Sequence, residues 1–269
     1  MTFHPDRITA HGESRNFKPF QNYPYGFGDL TLKRDISQIL AVNVLISRDN
    51  ILQNRAGVKI STMTDFFSVE FGPFTGTDDS FSQPELGIMG GMQIAYPGIA
   101  FLSINGSSSL GTRYEFFANN FSETAEVKIG LWLPNVIPSF SINTKSYSRQ
   151  IEDSATIRDE LTRLQVSADF FAKNFPITVR FDAGYGILTR SYKRDFSDVT
   201  DELNSIFAGV EVKWQVTKPL RIIAGFEIPI MFTAKSYWND GTKLDAPMET
   251  PDNRFNLYRF HGGVAYTFF

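Results

Sequence analysis

The sequence predicts an all-β fold, a closed antiparallel up-and-down barrel of about 12 strands, within a range of roughly 10 to 14. Three observations predict it. Apolar and polar residues alternate along most of the chain, the period that puts neighbouring side chains on opposite faces of a strand. The alternating runs are about 10 to 16 residues long, beyond the five or six usual in soluble sheets. Short turns at 97–98, 134–136, 173–176 and 217–219 alternate with long polar connections near 74–84, 149–160, 193–202 and 239–253. A soluble sandwich also alternates, so strand length and this two-ended asymmetry decide for a barrel.

Taken in order, residues 1–27 show neither period and hold Pro5, Pro19 and Pro24 with Phe17, Phe20, Tyr23, Tyr25 and Phe27. They read as an N-terminal arm or partial plug, and residues 28–269 as the barrel. Leu40, Val42, Val44 and Ile46 form the first clear row, followed by Val58 with Ile60, then Phe67, Val69 and Phe71. Leu86, Ile88, Met92, Ile94 and Tyr96 face small Gly87, Gly91 and Ala95 before the Pro97-Gly98 turn. Residues 106–122 are ambiguous between strand and loop. Ala125, Val127, Ile129, Leu131 and Leu133 lead through Pro134-Asn135 to Phe140 and Ile142. The charged stretch 149–160 reads as a loop with room for a short helix. Leu164 to Phe170, Ile177 to Ile187, Ile206 to Trp214 and Leu220 to Phe232 supply four further rows, the last one opposed by Arg221, Glu227 and Lys235.

Composition narrows the function classes. With no cysteine there is neither a disulfide framework nor a thiolate metal site. The formal net charge is −3, and no Lys/Arg-rich run occurs, which removes nucleic acid as a partner. Apolar runs such as Ile39 to Ile46 fall short of the ~18 residues a helical span needs, although a barrel strand needs only about 9–11 residues with alternate ones in lipid. Residues 1–17 carry no apolar core and so do not read as a secretion signal; the expectation is a mature chain whose signal has been removed.

The last stretch is Tyr258-Arg259-Phe260-His261-Gly262-Gly263-Val264-Ala265-Tyr266-Thr267-Phe268-Phe269, in which Tyr258, Phe260, Val264, Tyr266 and Phe268 share one face. It resembles the closing strand of bacterial outer-membrane β-barrels, whose terminal Phe follows alternate aromatic and apolar residues. The chain departs from that pattern in its doubled end, Phe269 overhanging Phe268. The resemblance implies a porin-like transmembrane barrel in the bacterial outer membrane, with lipid around it and Tyr266, Phe268 and Phe269 as the signal read by the barrel-assembly machinery. It agrees with the aromatics near strand ends: Tyr147, Tyr192, Tyr237, Trp238 and Tyr258 toward the long connections, and Tyr96, Phe171, Phe175, Trp214 and Phe268 toward the turns. Two such bands read as interfacial girdles.

On the opposite face from the apolar rows stand Arg55, Lys59, Glu70, Glu126, Lys128, Lys145, Arg163, Asp169, Arg180, Asp182, Glu211, Lys213, Arg221, Glu227, Lys235, Arg259 and His261. An Arg or Lys turned to lipid near the midplane costs about 2–4 kcal/mol, so this row belongs to a lumen. Bases exceed acids in it, while Asp78, Asp79, Glu152, Asp153, Asp159, Glu160, Asp198, Asp201, Glu202, Asp245, Glu249 and Asp252 fall in the expected loops. A basic interior below acidic loops predicts a pore for small polar or anionic solutes, lined by Lys128, Lys145, Arg163, Asp169, Arg180, Asp182, Glu211, Lys213, Arg221, Glu227, Arg259 and His261. The same charges paired across a narrow barrel would instead lock it shut, giving a non-conducting barrel that binds partners through its loops or, in the periplasm, through its arm. No catalytic residue, cofactor or metal site is expected. Of three histidines two lie in the N-terminal stretch, and the lone His261 reads as a hydrogen-bonding group within the lumen.

Overall fold

The structure, a computed structural model, describes residues 7–15, 26–49, 52–77, 84–110, 120–152, 155–172, 175–194, 197–238, 241–242 and 259–268. They form 14 strands: β1 (Arg7–Arg15), β2 (Gly26–Asp35), β3 (Leu40–Asp49), β4 (Gln53–Met63), β5 (Phe67–Thr77), β6 (Pro84–Tyr96), β7 (Ala100–Ser109), β8 (Asn120–Leu131), β9 (Val136–Glu152), β10 (Ala155–Phe171), β11 (Ile177–Arg194), β12 (Ser197–Gln215), β13 (Leu220–Trp238) and β14 (Arg259–Thr267). Each pairs antiparallel with its sequence neighbours, and β1 pairs with β14, closing the barrel. With no edge left, the backbone of the wall hydrogen-bonds internally, as lipid demands.

The arm expected over residues 1–27 is corrected in its central part. Residues 7–15 are strand β1, in register from Arg7↔Thr267 to Arg15↔Arg259 on one side and from Arg7↔Lys33 to Ser14↔Gly26 on the other. The row that matches Tyr266 and Val264 is Ile8, Ala10, Gly12 and Ser14, too small to show an apolar period. Strand β2 was hidden for a similar reason, carrying only Leu30 and Leu32 on that row. These two strands raise the count from about 12 to the upper bound of the expected range. The remainder of residues 1–25 lies outside the described residues.

The outward rows match the sequence pattern. Ile60, Phe71, Ile94, Ile129, Val166 and Phe181 are each at least half exposed, which in a membrane barrel is contact with lipid rather than water. Tyr96, Phe175, Trp214 and Phe268 stand exposed at the turn end, Tyr96 against Phe66 with ring centroids 6.3 Å apart and Phe268 edge-on to Tyr266 at 4.8 Å. The tight turns fall where expected, with Gly98 at φ 78° and Asn135 at φ 67°, a left-handed conformation that Gly and Asn adopt at low cost.

Three expectations at the other end are corrected. The connections 149–160 and 193–202 are not loops, and no helix forms there: β9 runs to Glu152, β10 starts at Ala155, β11 ends at Arg194 and β12 starts at Ser197. Strands β9 to β13 are thus 17 to 19 residues long, against 9 to 13 for the other nine. Above the lipid belt a strand no longer needs an apolar outer face, so the hydropathy period stops while the hydrogen-bond ladder continues. Consequently Asp159, Glu160, Asp201 and Glu202 are wall residues, not loop residues. Tyr147 and Tyr192 leave the expected girdle for the inward row, Tyr147 only 1% exposed. Lys235 is displaced by a β-bulge. Ile206 pairs with Met231 and Phe207 with Pro229, so Ile230 is an extra residue and everything after it changes face. Ile230 and Met231 are both exposed, Phe232 and Ser236 join the inward row, and Lys235 turns to the outer one. The loop acids Asp78, Asp79, Asp153, Asp245, Glu249 and Asp252 lie outside the described residues.

Candidate functional site

Inside the barrel the inward rows of β10 to β14 are cross-linked by ion pairs. Asp169 and Arg180 stand opposite each other in register, and the guanidinium donates two bonds to the carboxylate, at 2.7 and 2.8 Å. Glu211 accepts from Lys213 at 3.1 Å and hydrogen-bonds Nε2 of His261 at 2.8 Å, with Arg180 3.7 Å away. Lys213 also reaches Asp169 at 3.7 Å. Higher up, Arg163 of β10 donates to Glu227 of β13 at 2.6 Å, passing over β11 and β12, and Arg259 meets the same carboxylate at 3.4 Å. Arg190 is bidentate on Asp159, and Gln165 donates to Asp182 at 2.8 Å. The expected pore residues Arg163, Asp169, Arg180, Asp182, Glu211, Lys213, Glu227, Arg259 and His261 are therefore brought together on one wall as a lattice of adjacent paired groups. Charges this far from water are held by such partners. Arg221 stays apart, exposed at the turn end, where it donates to Gln215 at 3.0 Å. Lys128 is half-buried on the inward row of β8, and Lys145 lines a separate chamber. Tyr266 and Phe268 occupy the outer face of the closing strand, and Phe269 lies outside the described residues.

Glycines let the larger rings lie flat against this wall. Phe207 is directly opposite Gly184, where a Cβ would come within 2.5 Å of its ring, and His261 is opposite Gly225, where a Cβ would come within 2.2 Å. Phe74 is opposite both Gly57 and Gly87. Arg55 and Arg163 then stack on these rings, 4.5 Å above Phe74 and 4.1 Å above Phe207. Aromatic residues set opposite glycine on the polar row were a signal in the sequence, legible only once the register is known.

The β4 to β8 side is built differently. Arg55 donates to Glu85, Ser107 and Ser122, which bind it to β6, β7 and β8, and Lys59 pairs with Glu70 on β5. Sequence reasoning put Arg55, Lys59 and Glu70 on the lumen row but missed Glu85, Ser107 and Ser122, because single polar residues among serines carry no pattern. Between this wall and Lys145 of β9 a chamber of about 510 Å³ remains, whereas the cavity within the β10 to β14 lattice holds about 70 Å³. A separate open hollow of about 750 Å³ lies against the outer face of the same wall, where Leu30, Ile46, Ala56 and Thr75 stand in one row. Leu52, from the turn between β3 and β4, packs with Tyr147, Leu161 and Leu188 of β9, β10 and β11. The short side of the barrel thus touches the tall side across the lumen.

The balance of charge is closer than the sequence suggested. Glu85, Asp159 and Asp201 face inward with the bases, Asp201 accepting a hydrogen bond from Ser236. Among the described residues the basic excess sits toward the turn end, with Lys128, Arg180, Lys213 and Arg221 against Asp169 and Glu211.

No protein-family model matches the chain, and comparison with curated proteins finds no match. Among solved structures it is similar to an outer membrane channel from Pseudomonas putida F1, 9% identical with a TM-score of 0.55 over 100% of this chain and 97% of that one. It is also similar to a bacterial polysaccharide outer membrane secretin, 7% identical with a TM-score of 0.51 over 98% of each. At these identities the likeness shows the fold: a bacterial outer-membrane β-barrel.

Proposed function

We propose that this outer-membrane barrel is a channel that passively conducts small polar or anionic solutes and carries no catalytic step. The observation that supports the reading is the chamber of about 510 Å³ left along one wall of the lumen, while the cavity against the opposite wall holds only about 70 Å³. The basic excess near the turn end supports a mild anion preference, since fixed charges along a path set its selectivity. In this reading Tyr266, Phe268 and Phe269 act as the segment recognised during assembly.

Single-channel recording in planar bilayers tests it. The expected result is discrete conductance steps with a reversal potential favouring chloride, moved toward zero by Lys128→Gln with Arg221→Gln. The contact of Leu52 with Tyr147 favours a second reading, a closed barrel that acts through its outer surfaces. Leu52→Ala separates the two: larger or more frequent steps fit a channel constricted at that contact. Silence in both the wild type and Leu52→Ala would sink the channel.

A further inference from the structure

We infer that the chamber between β4 and β9 is a binding site for a small uncharged polyhydroxylated solute, of the size of a mono- or disaccharide. The inference rests on the channel reading for how the solute arrives, and goes beyond it in naming the class of solute that pauses there. Three features carry it.

The first is volume that the fold keeps open. Phe74 and Met89 lie flat against the wall because Gly57 leaves room for them: a Cβ there would stand 2.2 Å from Met89 Cε and 3.0 Å from Phe74 Cβ. Asn105 is seated the same way, its Oδ1 occupying the place a Cβ on Gly91 would take. The side chains that would otherwise fill the space are held to its rim, whereas the β10 to β14 side, which has glycines too, fills with the Arg163–Glu227–Arg259 group.

The second is the charge of the lining. The bases on the inward row are Arg55, Lys59 and Lys145 and the acids Asp29, Glu70 and Glu126. Arg55 pairs with Glu85, which also faces inward, so three bases stand against four acids. Lys59 is held by Glu70. No basic excess remains to favour an anion in this chamber. What remains is hydrogen-bonding capacity of both signs at short spacing, which a vicinal diol matches, because each hydroxyl donates and accepts.

The third is the hydroxyl and amide set between the charges. Ser107 and Thr124 share a hydrogen bond at 2.8 Å, Arg55 donates to Ser107 at 3.1 Å, and Asn105 donates to Ser103 at 3.2 Å. Their remaining lone pairs and protons line the same chamber as Lys145 and Glu126. Apolar side chains, Leu45, Leu52, Phe74 and Met89, line the chamber beside these polar groups and offer a surface to the C–H faces of a sugar ring, Phe74 with its other face under the Arg55 guanidinium. The volume suits a ligand at the lower end of ordinary small-molecule pockets.

The test uses the full-length protein in detergent and in bilayers, with D-glucose and sucrose as probes and sodium gluconate as the anionic comparator. Calorimetry and transient current blockades should both register the two sugars, with gluconate bound more weakly. Thr124→Val, which keeps the shape and removes the hydroxyl, and Lys145→Met should each weaken sugar binding by about tenfold, the size of one well-placed hydrogen bond. Lys235→Gln, on the outer face, should leave it unchanged. Gluconate bound as tightly as glucose, or sugar binding indifferent to both chamber variants, overturns the inference. Failure of one reading is distinguishable from failure of the other. Conductance without sugar binding overturns the site and leaves the channel, whereas calorimetric sugar binding that depends on Thr124 without any conductance keeps the site and removes the channel. Heat-dependent gel mobility of each variant confirms that it has folded before its binding is read.

Discussion

At the scale of single residues, the lumen on the β10 to β14 side behaves as a charged core. Arg180 and Asp169 are 20% and 15% exposed, so neither ion is fully hydrated, and each is held chiefly by the other. Arg180→Ala leaves Asp169 with Lys213 at 3.7 Å and takes one of the bases from Glu211. Breaking one side of such a pair costs about 3–5 kcal/mol in a dry interior, and partial exposure brings the expectation to roughly 2–3 kcal/mol. Urea unfolding in detergent should show that loss for Arg180→Ala. The double variant Arg180→Ala with Asp169→Ala should recover more than half of it, because no unpaired charge is left behind. Equal losses in the single and double variants would mean that the pair is hydrated and contributes nothing beyond side-chain packing. These residues are legible in the sequence as a row but not as pairs: alternation says which side chains share a face, and only the register says that Asp169 stands opposite Arg180 while Arg163 reaches past two strands to Glu227.

At the scale of elements, the bulge at Ile230 decides which face the end of β13 shows. A strict period of two carries Lys235 into the lumen, as its neighbours Arg221 and Glu227 suggest, and one extra residue reverses it. Because the chain has no cysteine, single substitutions report orientation cleanly. Lys235→Cys should react with a bulky water-soluble maleimide applied to liposome-inserted protein, since it stands on the outer row above the lipid belt. Ser236→Cys, on a residue 1% exposed, should stay largely unlabelled. The reverse order would place the bulge elsewhere and return Lys235 to the lumen. The local mark of the bulge is Pro229, which has no N–H to give to the ladder, although Ile228, Ile230 and Phe232 read as one uninterrupted row. Element existence was legible wherever lipid imposes an apolar outer face, from Leu40 to Phe232 and again in the closing strand. It was illegible where that demand lapses, both in the polar upper halves of β9 to β13 and in small-residue β1.

At the scale of the whole molecule, closure depends on a strand that the sequence presents as an arm. Strand β1 has β14 on one side and β2 on the other, and its pairings, from Arg7↔Thr267 to Arg15↔Arg259, are the seam of the barrel. Removing residues 1–15 would leave the facing edges of β14 and β2 with unpaired backbone groups. In the hydrocarbon region each such group costs several kcal/mol, far more than the side chains of so small a strand contribute by packing. The full-length protein should fold in detergent and migrate on SDS gels with a shift that depends on boiling, the behaviour of a sealed barrel. The chain lacking residues 1–15 should show no such shift and should aggregate on removal of denaturant. An arm or plug would give the opposite result, a truncated barrel with ordinary heat-dependent mobility and a more open lumen. The experiment thus separates a role in sealing the wall from a role in occluding the path. The loss of folding expected on truncation would assign residues 7–15 to the wall; among the described residues the path is crossed by the contact of Leu52 with Tyr147, where the short side of the barrel meets the tall one.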